Sequence, residues 1–491
     1  MILFHAPGIR VLPRLLVLAA LACLLGVAPV QAENQGSIKL PEYIPDLDVA
    51  ELTPYILDPE PMFGAWANPA NGPLGVHLDN YQVTPEMVEA ARSTGCRLIR
   101  LAIPMEKFLE DADPDWAVLD QVISRINRAG FEILPVLTAK VAVPEFYVQF
   151  CDDVASRYGS TFTYYQLLDN INYKIGLTSR DYADLISLAR TSIVLADRDA
   201  VIVSGGIRGA DLTYLEMLQS QGAMSCIDII ALNLFPPRDG IEGTVNSMMS
   251  EHSLPYAGNI VEWAAQRGKR VWVTSMSVSS CYTWGGGDQI EQAQMYSRGA
   301  LFLGFLGIER IIIGSIQDTD PSFQVPAGNC GLLDITGTPK ASYYALRTLN
   351  STIAGAYRVA APCLHQGATY DQPDSSDMLM APELIGVEGA DVVRENRIHD
   401  LSIFSYWFYQ PESEQYLMIY WLEKERRNNT LLKLIVGHIG LTPLEQFILL
   451  DNAPSPVRYT GAPTFQYIEY IPLSAMPGVI RFEVNEHGRS S

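Results

Sequence analysis

Basic residues are scarce in this sequence of 491 residues, and their scarcity limits what the protein can bind. Lys and Arg number 34 against 55 Asp and Glu, which gives a formal net charge of −21. No run of basic residues interrupts this acidity. Because the long-range field of such a chain repels phosphate backbones, the composition argues against nucleic acid as a partner. We expect a partner that is neutral, cationic or a protein.

The sequence also lacks clustered metal ligands and the short motifs of several enzyme classes. Its seven His are scattered, and neither they nor the Cys have the spacing of a metal site. There is no GxSxG, no HExxH, no P-loop and no GxGxxG after a predicted strand. The triplet Gly285-Gly286-Gly287 lacks the Lys and Ser or Thr of a phosphate loop, so it predicts a flexible turn. We therefore expect no metal and no cofactor.

Long apolar runs are absent except at the N-terminus, where residues 15–27 are apolar. Arg10 and Arg14 form a basic region directly before this run, and Val30-Gln31-Ala32 fits a small-x-small cleavage site. The pattern predicts a signal peptide over residues 1–32 and a secreted protein, periplasmic or extracellular, that is not an integral membrane protein after cleavage. Two alternatives stay open. One is an uncleaved anchor, although a spanning helix needs roughly 18 to 20 apolar residues; the other is lipidation at Cys23.

Cysteines are few and widely spaced, so they reveal no disulfide connectivity. Cys96 lies in the stretch TGCRLIRL and is predicted to be a buried free thiol. Cys281 and Cys330 fall in predicted loops and form one candidate pair. The six cysteines that follow the signal peptide are Cys96, Cys151, Cys226, Cys281, Cys330 and Cys363.

Hydrophobic residues, in contrast, are abundant and follow an alternating pattern. They make up 48% of the chain, enough to bury the cores of two or three domains. From about Pro61 to Gly355, short β-branched runs alternate with helical stretches, as is typical of βα units on a parallel sheet. Predicted strands cover residues 62–66, 98–103, 132–138, 163–168, 200–204, 227–232, 270–274 and 309–314. Predicted helices cover residues 85–93, 115–129, 144–158, 180–196, 212–221, 256–267, 289–306 and 340–353.

Eight such repeats favour an α/β fold, a (β/α)8 TIM barrel over residues 61–355, with any active site at the carboxyl ends of the strands. A doubly wound sheet is the alternative. After Gly355 the helical periodicity stops and six short strand-like runs follow, at residues 401–409, 416–422, 431–437, 446–450, 465–471 and 479–484. They predict a C-terminal all-β sandwich domain over residues 356–491. Residues 33–60 form an N-terminal extension that we expect to pack along the sandwich.

Several predicted strand ends resemble one enzyme family. The chain reads Arg157-Tyr158-Gly159 and then, after a predicted strand, Asp169-Asn170. This stretch resembles the third helix and fourth strand of clan A glycoside hydrolases, above all family 39, in which that strand ends in Asn-Glu-Pro. Residues 98–103, 227–236 and 271–275 resemble the second, sixth and seventh strands, and residues 331–344 resemble the segment after the eighth. The resemblance covers the whole barrel and implies a glycoside hydrolase fold.

The two positions at which this family carries its catalytic glutamates differ here. Retaining glycosidases need two carboxylates about 5 to 5.5 Å apart. By the resemblance, the acid/base position is Asn170 and the nucleophile position is Ser275. An Asn amide has no proton to give near neutral pH, and a Ser hydroxyl is a poor nucleophile without a neighbouring base. We therefore expect a pseudoenzyme that keeps the fold and has lost the chemistry.

Other carboxylates offer an alternative. Asp169 precedes the acid/base position by one residue, so strand alternation turns its side chain away unless the strand end bends. Asp318 and Asp320 follow the eighth predicted strand, where they can reach the barrel mouth or simply cap turns. Because inverting enzymes tolerate carboxylates roughly 6.5 to 9.5 Å apart, Asp169 and Asp318 are the alternative catalytic pair.

Aromatic and amide side chains near the strand ends complete the expected cleft. Aromatic rings can stack on sugar rings, while Arg, Gln and Asn can bind hydroxyl groups; rim packing and strand-end capping are the alternative roles. The expected substrate-binding residues, besides Asn170, are Trp66, Arg100, Gln166, Asn233, Phe235, Trp284 and Gln317.

Three functions fit these observations. The first is a secreted glycoside hydrolase-like protein that binds or organises oligo- or polysaccharide, such as exopolysaccharide or cell-envelope glycan, without hydrolysing it. The second is an active O-glycosyl hydrolase that uses Asp169 and Asp318. The third is a structural protein whose barrel face docks a protein partner.

Overall fold

The computed structural model describes most of the barrel and sandwich regions. The described residues are 61, 66, 72–78, 83–109, 116–173, 176–236, 254–281, 287–320, 326–359, 365–370, 403–422, 431–437, 441–462, 465–472 and 474–485. They all belong to one unit, Thr53–Ser491. The predicted signal peptide, the extension over residues 33–60, Trp284 and Cys363 lie outside the described residues.

Short parallel strands close into a barrel. The strands are β1 (Leu74–Leu78), β2 (Leu98–Pro104), β3 (Glu132–Thr138), β4 (Tyr164–Leu167), β5 (Val201–Val203), β6 (Ile207–Arg208), β7 (Ile229–Leu234), β8 (Arg270–Met276) and β9 (Arg310–Ser315). Their order is β5-β4-β3-β2-β1-β9-β8-β7-β6, and β5 also pairs with β7. Strands β5 and β6 are two halves of the fifth barrel strand, so the barrel has eight. The predicted TIM barrel is confirmed, and the doubly wound alternative is wrong because the sheet closes.

Helices follow the strands around the barrel. They are α1 (Pro85–Ser93), α2 (Glu106–Leu109), α3 (Trp116–Arg128), α4 (Pro144–Tyr158), α5 (Ser179–Ala196), α6 (Leu212–Ser220), α7 (Leu254–Ala265), α8 (Gln289–Phe305) and α9 (Ala341–Thr352). Capping boxes begin two of them: Thr178 with Asp181 at α5, and Asp288 with Glu291 at α8. All eight predicted helices are present with ends shifted by two residues or fewer.

Six predicted barrel strands agree with the structure to within two residues at each end; the fifth covers β5 but not β6, and the first barrel strand lies elsewhere than predicted. The first barrel strand is Leu74–Leu78, and of the predicted residues 62–66 only Trp66 is among the described residues. Trp66 lies outside the sheet and packs edge-on against Phe408, with ring centroids 6.1 Å apart. The true strand contains Gly75 because it passes close to its neighbour: a Cβ there would lie 2.7 Å from the Leu98 carbonyl oxygen.

The C-terminal region forms two antiparallel sheets, which confirms the predicted sandwich. The first has the order β10-β12-β13-β19-β15-β16, made of Tyr357–Val359, Ile403–Gln410, Gln415–Leu422, Gly478–Val484, Leu441–Ile448 and Ser455–Pro456. The second has the order β11-β14-β18-β17, made of His365–Tyr370, Leu431–Gly437, Phe465–Pro472 and Arg458–Ala462. Strands β10, β11, β16 and β17 were not predicted from the sequence.

The six-stranded sheet packs on helix α8 of the barrel. Phe305 stacks on Tyr406 with ring centroids 5.1 Å apart, and Phe302 meets Phe404 edge-on. Arg298 in the same helix donates a hydrogen bond of 3.3 Å to the Leu422 carbonyl. Aromatic burial of this kind explains why α8 is covered by protein on nearly every side.

The thiols of the five described cysteines are buried or half-buried. Burial raises the pKa of Cys96 to about 11, which keeps this predicted buried thiol unreactive. No disulfide joins Cys281 to Cys330, although both side chains are buried, so that candidate pair is not formed. Separately, no helix in the described part of the chain has the length and apolar character needed to cross a bilayer.

Candidate functional site

The barrel interior changes from apolar to polar along the strands. Its lower part is filled by Leu98, Leu134, Val203, Ile229, Ala231, Trp272 and Ile312. Side chains two residues further along a strand point to the same face. The residues that follow Leu98, Ala231 and Trp272 in this way are Arg100, Asn233 and Thr274, and each is buried. A polar layer therefore covers the apolar core at the carboxyl ends of the strands, where TIM-barrel enzymes have their active sites.

A sharp bend follows strand β4. Leu168 and Asn170 have φ angles of 68° and 52°, a left-handed conformation that is uncommon for residues other than glycine. The bend is held in place by Tyr182 of α5, whose hydroxyl donates to the Leu167 carbonyl at 3.4 Å and accepts from the Gly205 amide at 2.7 Å. Strand alternation therefore ends at Leu167, and it does not govern the direction of the next side chains.

Because of this bend, Asp169 points into the polar layer. Its Oδ1 accepts a hydrogen bond from Asn233 Nδ2 at 2.8 Å and one from Gln166 Nε2 at 3.3 Å. Arg100 Nη2 lies 2.8 Å from the same oxygen as a close ion pair, although its N–H does not align for a hydrogen bond. Side chains from three strands, Arg100, Gln166 and Asn233, thus meet at one carboxylate oxygen of Asp169.

Arg100 is held on three sides. Its Nε donates to Gln166 Oε1 at 3.1 Å, and its Nη1 lies 3.3 and 3.5 Å from the two ring nitrogens of His77. Only 3% of the Arg100 side chain is exposed, against 24% for Asp169. A buried guanidinium beside one carboxylate gives a pair with no net charge, and only the carboxylate remains accessible from the mouth.

Asn233 is fixed in orientation by its partners. Thr274 Oγ1 donates to Asn233 Oδ1 at 3.1 Å, which directs the Asn233 amide nitrogen towards Asp169 and towards Asn170 Oδ1, at 3.1 Å. Gly206 lies directly against this contact: a Cβ there would be 2.2 Å from Asp169 Oδ1 and 2.5 Å from Asn233 Nδ2. The site therefore needs glycine at this position. We name Arg100, Gln166, Asp169, Asn170 and Asn233 the mouth cluster.

The two positions that the sequence resemblance pairs with catalytic glutamates, Asn170 and Ser275, lie at or next to the carboxyl ends of β4 and β8. Asn170 is half-buried, and its Nδ2 donates to Asp169 Oδ2 at 3.4 Å. Ser275 Oγ lies 2.9 Å from Ser277 Oγ, the one side-chain hydrogen bond of Ser275 among the described residues. This hydroxyl has neither a His nor a carboxylate beside it in the described part, so the arrangement does not activate it as a nucleophile.

Asp318 occupies a different place, in a buried ion pair. Both of its carboxylate oxygens lie 3.0 Å from Lys340 Nζ, and the Gly331 amide donates to Oδ1 at 2.7 Å. Burial raises the pKa of Asp318 and lowers that of Lys340, while each charge partly offsets the shift of the other. This ion pair connects the loop after β9 to the start of α9. The described hydrogen bonds and ion pairs of the Asp318 carboxylate join it to Lys340 and Gly331, not to the mouth cluster.

The remaining predicted residues are dispersed. Trp66 packs between Phe408 of the sandwich and Gly304 near the C-terminal end of α8. This end of the helix lies at the amino ends of the barrel strands, so Trp66 is at the opposite end of the barrel from the mouth cluster. Gln317 donates to the Ile335 carbonyl at 2.9 Å. Phe235 lies near Arg208, with the guanidinium 5.6 Å from its ring centroid. Asp320 accepts from Asn329 Nδ2 at 3.3 Å.

Sequence reasoning missed His77, Gly206 and Thr274, which contact the mouth cluster. The pair Gly205-Gly206, which lies between β5 and β6, is the feature that could have pointed to a close approach there. Among the described residues, no group of three or more His, Cys, Asp or Glu side chains is placed to hold a metal ion.

No protein-family model and no curated protein matches this sequence. Solved structures do match it. A family 39 glycoside hydrolase from Bacteroides cellulosilyticus WH2 superposes with a TM-score of 0.59 at 16% identity, covering 83% of this chain and 80% of that one. A family 51 α-L-arabinofuranosidase from Bifidobacterium longum gives a TM-score of 0.54 at 10% identity, covering 87% and 97%. A family 30 subfamily 8 xylanase from Clostridium acetobutylicum gives 0.53 at 11% identity, covering 87% and 98%.

At these identities the likeness establishes the fold. The structural neighbours are clan A glycoside hydrolases, as the strand-end motifs predict, and they share the eight-stranded parallel barrel. The chain therefore has the glycoside hydrolase-like fold of this clan, a TIM barrel with a C-terminal β-sandwich.

Proposed function

We propose that this protein binds oligo- or polysaccharide at the barrel mouth without hydrolysing it, and that it does so outside the cytoplasm. The observation that carries the proposal is the mouth cluster: among the described residues one carboxylate, Asp169, belongs to it, and Arg100 neutralises that carboxylate at 2.8 Å. The predicted signal peptide supports export, which brings the protein to exopolysaccharide or cell-envelope glycan.

The chemistry of glycoside hydrolysis supports the absence of turnover. Both retaining and inverting mechanisms need a carboxylic acid and a second carboxylate on either side of the scissile bond. Asn170 and Ser275 hold the corresponding positions here and supply neither group. Asp318, the alternative partner for Asp169, is buried against Lys340. Asp169 is left without a second carboxylate in the mouth cluster.

The same side chains suit the recognition of sugar hydroxyls, which both donate and accept hydrogen bonds. Asp169 offers acceptor oxygens and Asn170 offers both an acceptor and donors. Their mutual hydrogen bonds, and those from Asn233, fix the side chains before a ligand arrives, so binding loses little side-chain entropy. This preorganised polar layer therefore offers fixed hydrogen-bond partners to a glycan that enters the barrel mouth.

A glycan array, followed by titration of each glycan that binds, tests the proposal. Asn233→Ala removes the donor that positions Asp169, and we expect it to weaken glycan binding by about tenfold or more, since hydrogen bonds to charged groups contribute about 1.5–3 kcal/mol. Asn127→Ala is the matched control, because Asn127 is exposed on α3 and makes no side-chain hydrogen bond in the described part. Failure of the wild-type protein to bind any glycan would overturn the proposal.

A gain-of-function variant tests the loss of chemistry. Asn170→Glu together with Ser275→Glu restores both carboxylates, and we expect measurable hydrolysis of chromogenic glycosides that the wild-type protein leaves intact. Each single variant serves as a control, since one carboxylate is insufficient. Hydrolysis by the wild-type protein at a comparable rate would instead favour an active enzyme.

A further inference from the structure

A second arginine lies beside the mouth cluster. Arg208 ends strand β6 and is the register partner of Asn233 in β7. Asn172 fixes its backbone from both sides: the Arg208 amide donates to Asn172 Oδ1 at 2.8 Å, and Asn172 Nδ2 donates to the Arg208 carbonyl at 3.0 Å. The start of this side chain is therefore rigidly placed next to the cluster.

The guanidinium of Arg208 is held by aromatic rings. Its Cζ lies 4.2 Å from the ring centroid of Tyr173 and 5.6 Å from that of Phe235. Such contacts occupy the flat faces of a guanidinium and leave its N–H edges available. The rings thus orient the group without using its hydrogen-bond donors.

No carboxylate of the described residues forms an ion pair with Arg208. The nearby Asp211 is committed elsewhere: it accepts from Asn172 Nδ2 at 3.0 Å and from the Tyr214 amide at 2.9 Å, at the start of α6. Arg100, by contrast, has Asp169 within 2.8 Å. In a chain with 55 acidic and 34 basic residues, Arg208 is a cation at the mouth that no acid of the described part neutralises.

A cavity of about 310 Å³ adjoins this arginine and shares two residues with its surroundings. Asn172 and Tyr173 line it, together with Leu177, Thr178 and Ser179. Its volume lies at the lower end of the range for small-molecule sites, about 300 to 1,000 Å³. Tyr173, which is 42% exposed, connects the arginine to the cavity wall.

We propose that Arg208, Tyr173 and this cavity form a subsite for a uronic acid residue of the glycan. The inference rests on the proposed glycan binding at the mouth and adds the class of glycan. A guanidinium with free N–H edges pairs with a carboxylate through two parallel hydrogen bonds, and Tyr173 supplies an aromatic edge for the sugar ring.

The acidity of the whole chain does not prevent such binding. Exposed charges are screened over about 8 Å at physiological ionic strength, so the site responds mainly to its neighbours. The neighbouring pair of Arg100 and Asp169 has no net charge. The composition of the whole chain predicts a partner that is neutral, cationic or a protein. We propose an anionic sugar residue instead because Arg208 places a positive charge at the mouth.

Carboxyl reduction provides the test on the wild-type protein. Polygalacturonate, alginate, hyaluronan and glucuronoxylan are each compared with their carboxyl-reduced forms, in which every carboxylate becomes a primary alcohol. We expect at least one uronate polymer to bind about tenfold or more tightly than its reduced form, because the Arg208 contact is charge-assisted. Raising the salt concentration should reduce this preference.

Arg208→Met should lower the affinity for each uronate polymer to that for its reduced form, and the remaining binding of the reduced form shows that the variant is folded. Arg208→Lys keeps the charge but not the planar fork, so it should retain part of the preference. Arg198→Met is the matched control, since it removes one exposed arginine outside the mouth. Equal binding of acidic and reduced glycans, or a preference that survives in Arg208→Met, overturns this inference and leaves glycan binding intact. Absence of binding to every polymer overturns both proposals.

Discussion

Substitution of Gly206 by Ala provides a sharp test of the mouth cluster, because it adds one methyl group and removes nothing. The new Cβ would lie 2.2 Å from Asp169 Oδ1 and 2.5 Å from Asn233 Nδ2, closer than real Cβ atoms approach. Gly206 does not have a left-handed φ, so Ala adds no backbone strain. The whole effect therefore acts on the two side chains.

The expected destabilisation follows from these distances. To reach an ordinary contact distance, the Asp169 and Asn233 side chains must each move by about 1 Å, which breaks the 2.8 Å hydrogen bond between them. Overpacking costs about 1–3 kcal/mol, and a lost hydrogen bond to a charged group costs about 1.5–3 kcal/mol. Since Asp169 is partly exposed and can recover water, we expect a total of about 2–4 kcal/mol.

Urea unfolding and glycan titration measure the two consequences. Gly206→Ala should lower the free energy of unfolding and weaken glycan binding together. Gly72→Ala is the matched control, because its Cβ would meet nothing closer than Arg97 Cγ at 3.8 Å. If Gly206→Ala unfolds within about 0.5 kcal/mol of the Gly72→Ala control and binds glycan as the wild type does, the described contact between Asp169 and Asn233 is refuted.

Three further predictions concern the support of the barrel. Lys340→Met should destabilise the fold by about 3–5 kcal/mol because it leaves Asp318 buried without its partner, and Asp318→Leu in the same chain should recover much of the loss in urea unfolding; additive losses would contradict the ion pair. Tyr182→Phe should lower the unfolding free energy by about 1–3 kcal/mol, since the buried Gly205 amide loses its acceptor, whereas the exposed Tyr344→Phe should change it little. The hydrogen bond from Arg157 lowers the pKa of Asp120 below its ordinary value of 3.8, so this pair stabilises the fold above that pH and the stabilisation is lost as the pH falls through the folded pKa. Asp120→Asn should therefore reduce the loss of unfolding free energy over this acidic range. An unchanged dependence of the unfolding free energy on pH would contradict the pair.

The barrel could be predicted because its strands and helices have clear periodicity, and the exception has a physical cause. Strand β1 has Gly75 where the Leu98 carbonyl approaches and His77 at the mouth, so it does not read as an apolar run. Residues 62–66 do form an apolar run, but Trp66 in that run packs against Phe408 of the sandwich. A single sequence does not distinguish an apolar strand from an apolar contact between domains.

The site could be predicted only in part. The motif resemblance and strand ends identified Arg100, Gln166 and Asn233, since all three lie at alternating positions of regular strands. The direction of Asp169 could not be inferred, because it depends on the left-handed conformation of Leu168 and Asn170, neither of which is glycine.

The pairing of Asp318 with Lys340 also escaped sequence reasoning. The two residues are 22 positions apart, on a loop and at a helix start, and their contact arises only when both elements pack on the barrel. Local patterns carry no information about such an ion pair, so the sequence alone predicts Asp318 at the barrel mouth.

The most direct test of the central claim measures binding and hydrolysis on the same sample. A glycan that binds the wild-type protein is titrated by calorimetry, and the same mixture is then assayed for newly released reducing ends after prolonged incubation. The account predicts saturable binding that Asn233→Ala weakens, with no reducing ends above the protein-free blank. Release of reducing ends that scales with the concentration of wild-type protein, or binding that Asn233→Ala leaves unchanged, would contradict it.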